Sequence, residues 1–134
     1  MTCVHTSNKA SLKTLREAMY DFEERSVRAV LSELIADDAS VHMPFPFGDL
    51  KGPDALYETC YAPLFNAIPD LERRDWIVTG GRTEHGDDWI GCGGHYSGTF
   101  VAPWLDIPPT GHLTHMRFHE FYRFVDGKVV EIQT

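Results

Sequence analysis

Residues 112–125 run for fourteen positions without a proline or a glycine and stop at Asp126-Gly127. An Asp-Gly pair between two extended stretches is the strongest short-range hairpin signal a sequence carries. It predicts that residues 128–133 return antiparallel to 112–125, so any fold must be built around a long sheet. Side chains alternate between the two faces of a strand. One face takes His112, Thr114, Met116, Phe118, Glu120, Tyr122 and Phe124; the other takes Leu113, His115, Arg117, His119, Phe121, Arg123 and Val125. The first set is the more apolar and is predicted to face the core. Glu120 is then the one formal charge on the inward face.

The rest of the chain supplies partners for that hairpin. Period-two stretches at 71–82 and 89–100, joined by Gly86-Asp87-Asp88, predict a second antiparallel pair. Upstream the spacing changes. Leu12, Leu15, Met19 and Phe22 share a helical face over 11–22, with Ser7 or Ser11 available as a cap. Val27, Val30, Leu31, Leu34 and Ile35 repeat the pattern over 26–35, and Asp37-Asp38 is read as its end. Residues 40–45 form a short strand, limited by Pro44 and Pro46 to an edge or a bulge. Pro53 opens a third helix over 54–61, which Pro63 kinks or restarts. Residues 1–10 read as loose, and 102–111 as a proline-rich loop. The predicted class is α+β: a cone-shaped, curved antiparallel sheet packed against three N-terminal helices, in one domain spanning 1–134. Gly91, Gly93, Gly94 and Gly98 in one strand suit strong bending, and a bent sheet capped by helices encloses an interior where a small molecule could sit.

Composition narrows the partners. The 134 residues are 43% hydrophobic and 24% charged, with a formal net charge of −8. That is ordinary globular composition, and a negative field repels nucleic-acid phosphates and anionic lipid. No apolar run is long enough for a membrane helix, the polar N-terminus does not read as a secretory signal, and three cysteines without CxxC spacing fit free thiols. A cytoplasmic protein with neither nucleic-acid nor membrane partner is the expectation.

Three stretches carry a resemblance. GGHYSGTF (93–100), DIPPTG (106–111) and FYRFVDGKVVE (121–131) are similar to motifs of the SnoaL-like polyketide cyclases of the nuclear transport factor 2-like superfamily, and with the order of elements they cover residues 11–134. The resemblance implies the cone-shaped fold and frequent homodimers. It implies neither one activity nor one substrate, since the superfamily holds cyclases, isomerases, hydrolases, dehydratases and non-catalytic binders. It also implies an acid/base aspartate a few residues after the Asp-Gly-Lys turn. Here that position is Thr134, which cannot replace a carboxylate: either the chain lacks that acid, or the strand continues in a longer natural protein.

Several side chains are candidates for chemistry. Glu120, desolvated on an inward face, would be tuned toward acid/base work; the plainer alternative is that it pairs with an arginine. Tyr96, in phase with Ile90, Cys92 and Phe100, and His42, on the short strand, could steady negative charge on a substrate oxygen. Phe118, Met116, Trp104, Phe22, Tyr20 and His95 are candidate ligand-binding residues, with core packing the competing role for each aromatic. Trp104 is placed at the cone mouth, as a lid or a dimer contact. His115 and His119 share a face with Arg117, which would repel a cation, so no metal and no other cofactor is expected. GxSxG, P-loop and GxGxxG motifs are absent. Two functions stay open: a cofactor-free acid/base cyclase or isomerase acting on a hydrophobic carbonyl compound, or a non-catalytic ligand-binding or dimerisation domain of the same fold. The outer face of the long strand is the expected homodimer contact.

Overall fold

A computed structural model describes residues 3–134, so Met1 and Thr2 of the segment read as loose lie outside it. The rest of that segment is helical. Helix α1 spans Val4–Tyr20 and buries Asn8, Leu12, Leu15 and Met19, one face at helical spacing. Its N-cap is Cys3, which makes no side-chain capping bond, so neither Ser7 nor Ser11 has that role. Helix α2 (Glu24–Leu34) starts at Glu23, whose carboxylate accepts the Arg25 and Ser26 backbone N–H groups and so fills two of the donors a helix start leaves open.

Strand β1 (Ile35–Met43) follows α2 at once, so Asp37 and Asp38 lie exposed within a strand and do not end the helix by a turn. β1 is not an edge. It pairs with β2 (Gly48–Lys51) on one side and runs parallel to the last strand on the other, with a register shift between Ile35 and Ser40. The third helical region has three parts: α3 (Gly52–Leu56), a π-helical turn (Tyr57–Tyr61) and α4 (Ala62–Ala67), which has Pro63 in its first turn. A proline cannot donate to the preceding turn and its ring crowds the carbonyl four residues back; a wider turn before it relieves both.

Strands β3 (Glu72–Arg82), β4 (Asp88–Thr99), β5 (Leu113–Val125) and β6 (Lys128–Gln133) complete a six-stranded sheet in the order β2-β1-β6-β5-β4-β3. The sheet is curled and unclosed, and with the helices it gives the expected α+β cone. Asp126 and Gly127 make the β5–β6 turn with φ of 50° and 81°. Curvature at β3 comes from a bulge: Asp75 pairs with Gly94 and Ile77 with Gly93, leaving Trp76 as the extra residue. A Cβ on Gly94 would sit 1.9 Å from the Arg74 carbonyl oxygen, so only glycine admits this approach.

Candidate functional site

Alternation along β5 sends Phe118, Glu120, Tyr122 and Phe124 into the core, while Leu113, His115, Arg117, His119 and Phe121 face out. Glu120 is 2% exposed. An isolated carboxylate would not be buried so deeply, because desolvation of a charge is very costly unless partners replace the water. Three do so. Arg73 Nη1 donates to Glu120 Oε2 at 2.8 Å, the Tyr122 hydroxyl donates to the same oxygen, and the Tyr96 hydroxyl donates to Oε1 at 2.8 Å. All three are donors, the set a carboxylate accepts, and Oε1 receives a single one of them.

Arg73, 1% exposed, is itself shared. Its Nε and Nη2 donate to the two oxygens of Asp75 at 2.8 and 3.2 Å, and Asp75 takes a further bond at 2.9 Å from Arg16 Nε on α1. Burial opposes the guanidinium charge, but Glu120, the neighbouring tyrosines and Asp75 outweigh it and hold its pKa above the ordinary arginine value. Tyr96 and Tyr122 are pushed far up, first by burial and then by the Glu120 charge, and Tyr61 is raised for the same reasons. All three phenols are therefore neutral hydrogen-bond donors at physiological pH.

This cluster borders a cavity of about 290 Å³ between the inner face of the sheet and the π-helical turn. Its walls include Met43, Phe47, Leu64, Trp104, Met116 and Phe118, and its polar lining includes Tyr61, Tyr96, Glu120 and Thr134. Two hollows of about 490 and 280 Å³ lie on the outer face of the sheet, but they are open furrows beside Gly91 and Gly93 with no buried carboxylate. Trp104 is set over the cavity by a two-residue turn in which Trp104 and Ile107 exchange backbone bonds of 3.1 and 2.8 Å. Leu105 and Asp106 form that turn with φ of 52° and 63°, unusual for residues carrying a Cβ. The buried Trp104 Nε1 has no hydrogen-bond partner among the described residues.

The structure thus gathers Glu120, Tyr96, Met116, Phe118 and Trp104 around one space. It leaves four candidates outside. His42 faces away from the cavity, with Nδ1 2.8 Å from Asp49 of β2, because Val41 takes the inward position. His95 is on the outer face, its ring 4.0 Å from Trp76. Tyr20 is 52% exposed beneath the Arg74 guanidinium. Phe22 is core, packed on Tyr57, Tyr61 and Phe65. Conversely Tyr61, Arg73, Asp75, Arg16 and Tyr122 belong to the cluster, and of these only Tyr122 had a readable signal, its place two residues from Glu120 on the same face. Among the described residues no group of three or more His, Cys, Asp or Glu is placed to hold a metal, and no helix is long and apolar enough to cross a membrane.

A curled sheet, helices over its concave side and an internal cavity define a nuclear transport factor 2-like protein. The chain belongs to the SnoaL-like polyketide cyclase family, which it matches over residues 13–134. Solved structures agree on the fold. A Jannaschia sp. CCS1 protein assigned to the SnoaL-like polyketide cyclases is 21% identical with a TM-score of 0.80, over 98% of this chain and 86% of that one. IdmH of Streptomyces antibioticus, assigned as a polyketide cyclase, is 22% identical with a TM-score of 0.73, over 93% and 88%. AclR of Streptomyces galilaeus, assigned as a hydroxylase, is 18% identical with a TM-score of 0.73, over 96% and 73%. Comparison with curated proteins gives no match.

Proposed function

We propose that this SnoaL-like protein binds a small hydrophobic carbonyl compound in the 290 Å³ cavity and moves a proton on it without a cofactor, as a cyclase or isomerase does. The observation that carries the reading is Glu120: a buried carboxylate on the cavity wall whose Oε1 has one donor, Tyr96. In the proposed step Oε1 takes a proton from the carbon beside the substrate carbonyl. The electron pair of that C–H bond forms the C=C bond of an enolate, the carbonyl π pair moves to its oxygen, and the neutral Tyr61 hydroxyl can stabilise that oxygen while the Tyr96 hydrogen stays directed at Glu120. The enolate carbon then attacks a second carbonyl of the same molecule, whose oxygen takes the proton back from Glu120, or Glu120 returns that proton to another carbon of the enolate system; either way the carboxylate is regenerated.

Two observations favour a second reading, binding without catalysis. Glu120 already has three donors, and the cavity position matching the family's acid is occupied by Thr134. The bicyclic ketone 1-tetralone separates the two. Quenching of tryptophan fluorescence reports its binding, and proton NMR in deuterium oxide reports exchange beside its carbonyl. Catalysis predicts binding with exchange at least tenfold above buffer, lost in Glu120→Gln while binding persists. Binding without faster exchange supports the second reading. No binding overturns both.

A further inference from the structure

Four charged side chains form an unbroken line from the surface of α1 to the cavity: Arg16, Asp75, Arg73 and Glu120, at successive contacts of 2.9, 2.8 and 2.8 Å. All but its outer end is buried. The Arg16 side chain is 28% exposed, Asp75 2%, Arg73 0% and Glu120 3%. The Arg73 guanidinium presents a two-pronged face to Asp75 and one nitrogen to Glu120. Two of its N–H groups go to Asp75 and one to Glu120, so its charge is divided between two carboxylates and does not serve Glu120 alone. Arg16 in turn draws Asp75 outward.

We infer that Asp75 and Arg16 are positioning residues for Glu120: Asp75 withholds Arg73 from the carboxylate, and Arg16, from the protein surface, sets how strongly it does so. The inference rests on the reading of Glu120 as the proton-moving group. Other groups facing the line are accounted for. Around Glu120 stand Tyr96 and Cys92 from β4, Tyr122 from β5 and Tyr61 from the π-helical turn. Around Arg16 stand Lys13 and Glu17, which pair with each other at 3.5 Å, and Arg74, which pairs with Glu72. None of these bridges Asp75 to Glu120 by a direct contact, so the line is the direct electrostatic path.

The two ends of the line should act with opposite sign. Without the Asp75 charge, Arg73 is freed for Glu120 and the carboxylate holds its proton less. Without the Arg16 charge, Asp75 competes more strongly for Arg73 and Glu120 holds its proton more. In protein labelled with ¹³C at glutamate carboxyls, the Glu120 resonance followed against pH reads this directly, with no substrate. Asp75→Asn should lower the midpoint and Arg16→Gln should raise it, each by about one pH unit, the size of one charge acting at ~10 Å through a partly dry interior. Arg16→Lys should restore the wild-type midpoint. Arg16→Gln alters a partly exposed side chain and keeps the test valid if Asp75→Asn fails to fold. Shifts of the same sign, or no shift in Arg16→Gln, would overturn the inference. Loss of 1-tetralone exchange in the wild type would overturn the catalytic reading, and with it the part of Glu120 in proton transfer, independently of these midpoints.

Discussion

At the scale of single residues the buried ion pairs dominate. Removing one member of a buried pair leaves an uncompensated charge and typically costs about 3–5 kcal/mol. Arg73→Met strands two carboxylates, Glu120 and Asp75, so it should lie at or above the top of that range. Glu120→Gln leaves Arg73 its bond to Asp75 and keeps an acceptor for the tyrosines, so it should cost only ~1–3 kcal/mol. Urea unfolding at pH 7 gives the ranking, and an equal or reversed order would contradict the network. Burial also pushes the Cys60 thiol up to about 11 and Cys92 up to about 12. Iodoacetamide at pH 8 should therefore modify the exposed Cys3 and spare the other two in the native protein. Some of the site was legible because period-two alternation is strict along β5: Glu120, Phe118 and Met116 follow from it. Arg73 was not legible. The β3 bulge at Trp76 shifts the phase, so simple alternation places the apolar Trp76 and Val78 together and turns Arg73 outward. Tyr61 needed the π-helical turn, which no local composition announces.

At the scale of elements, strands β3 to β6 and the Asp-Gly turn were readable because extended stretches flank strong turn signals, even where the bulge shifts the phase within β3. The misread pieces are those where tertiary pairing overrides local signals. Asn8 interrupts the apolar face of α1 and hides its first turns, while Asp37 and Asp38 lie in the β1 register shift, flanked by Ile35 and Ser40, which both pair with β6. Two connections yield predictions. Asp70 joins α4 and β3 to the end of β4, accepting the Thr99 N–H at 2.7 Å and its hydroxyl at 2.8 Å. These bonds hold the Asp70 carboxyl below its ordinary pKa. A depressed folded-state pKa contributes stability above the unfolded value and loses it as pH falls through the folded value. Asp70→Asn should thus flatten the loss of stability in urea between pH 5 and 3, as a direction distinct from wild type. The second connection is the Leu105-Asp106 turn. Asn-Gly suits a turn with positive φ at both central positions, so Leu105→Asn with Asp106→Gly should raise stability by about 1–2 kcal/mol. A lower melting temperature would mean that Leu105 packing on the cavity outweighs the backbone relief.

For the whole molecule the unanswered surface is the outer face of the sheet. Trp76 and Ile77 on β3 are 58% and 63% exposed, and Phe121 and Leu113 on β5 are 48% and 66% exposed. Between the two strands Gly91 and Gly93 leave a furrow floored by backbone. Apolar side chains beside an open furrow suit a two-fold contact, in which a ridge on one copy enters the furrow of the other. We propose that this face pairs two copies of the chain. Sedimentation at increasing concentration should reveal a dimer, and Phe121→Asp should shift it to monomer without unfolding, since Phe121 is half exposed. A wild-type monomer at high concentration would sink the proposal. The same face carries His95, His115, His119 and Arg117. Burial, Arg117 and His115 lower the His95 pKa, so its neutral form prevails at neutral pH. Below that, protonated His95 beside Arg117 in both copies would repel across the two-fold axis. The dimer should weaken as pH falls below about 6.5, the ordinary histidine value that the His95 pKa lies under, while the cavity, on the opposite face, keeps its affinity for 1-tetralone.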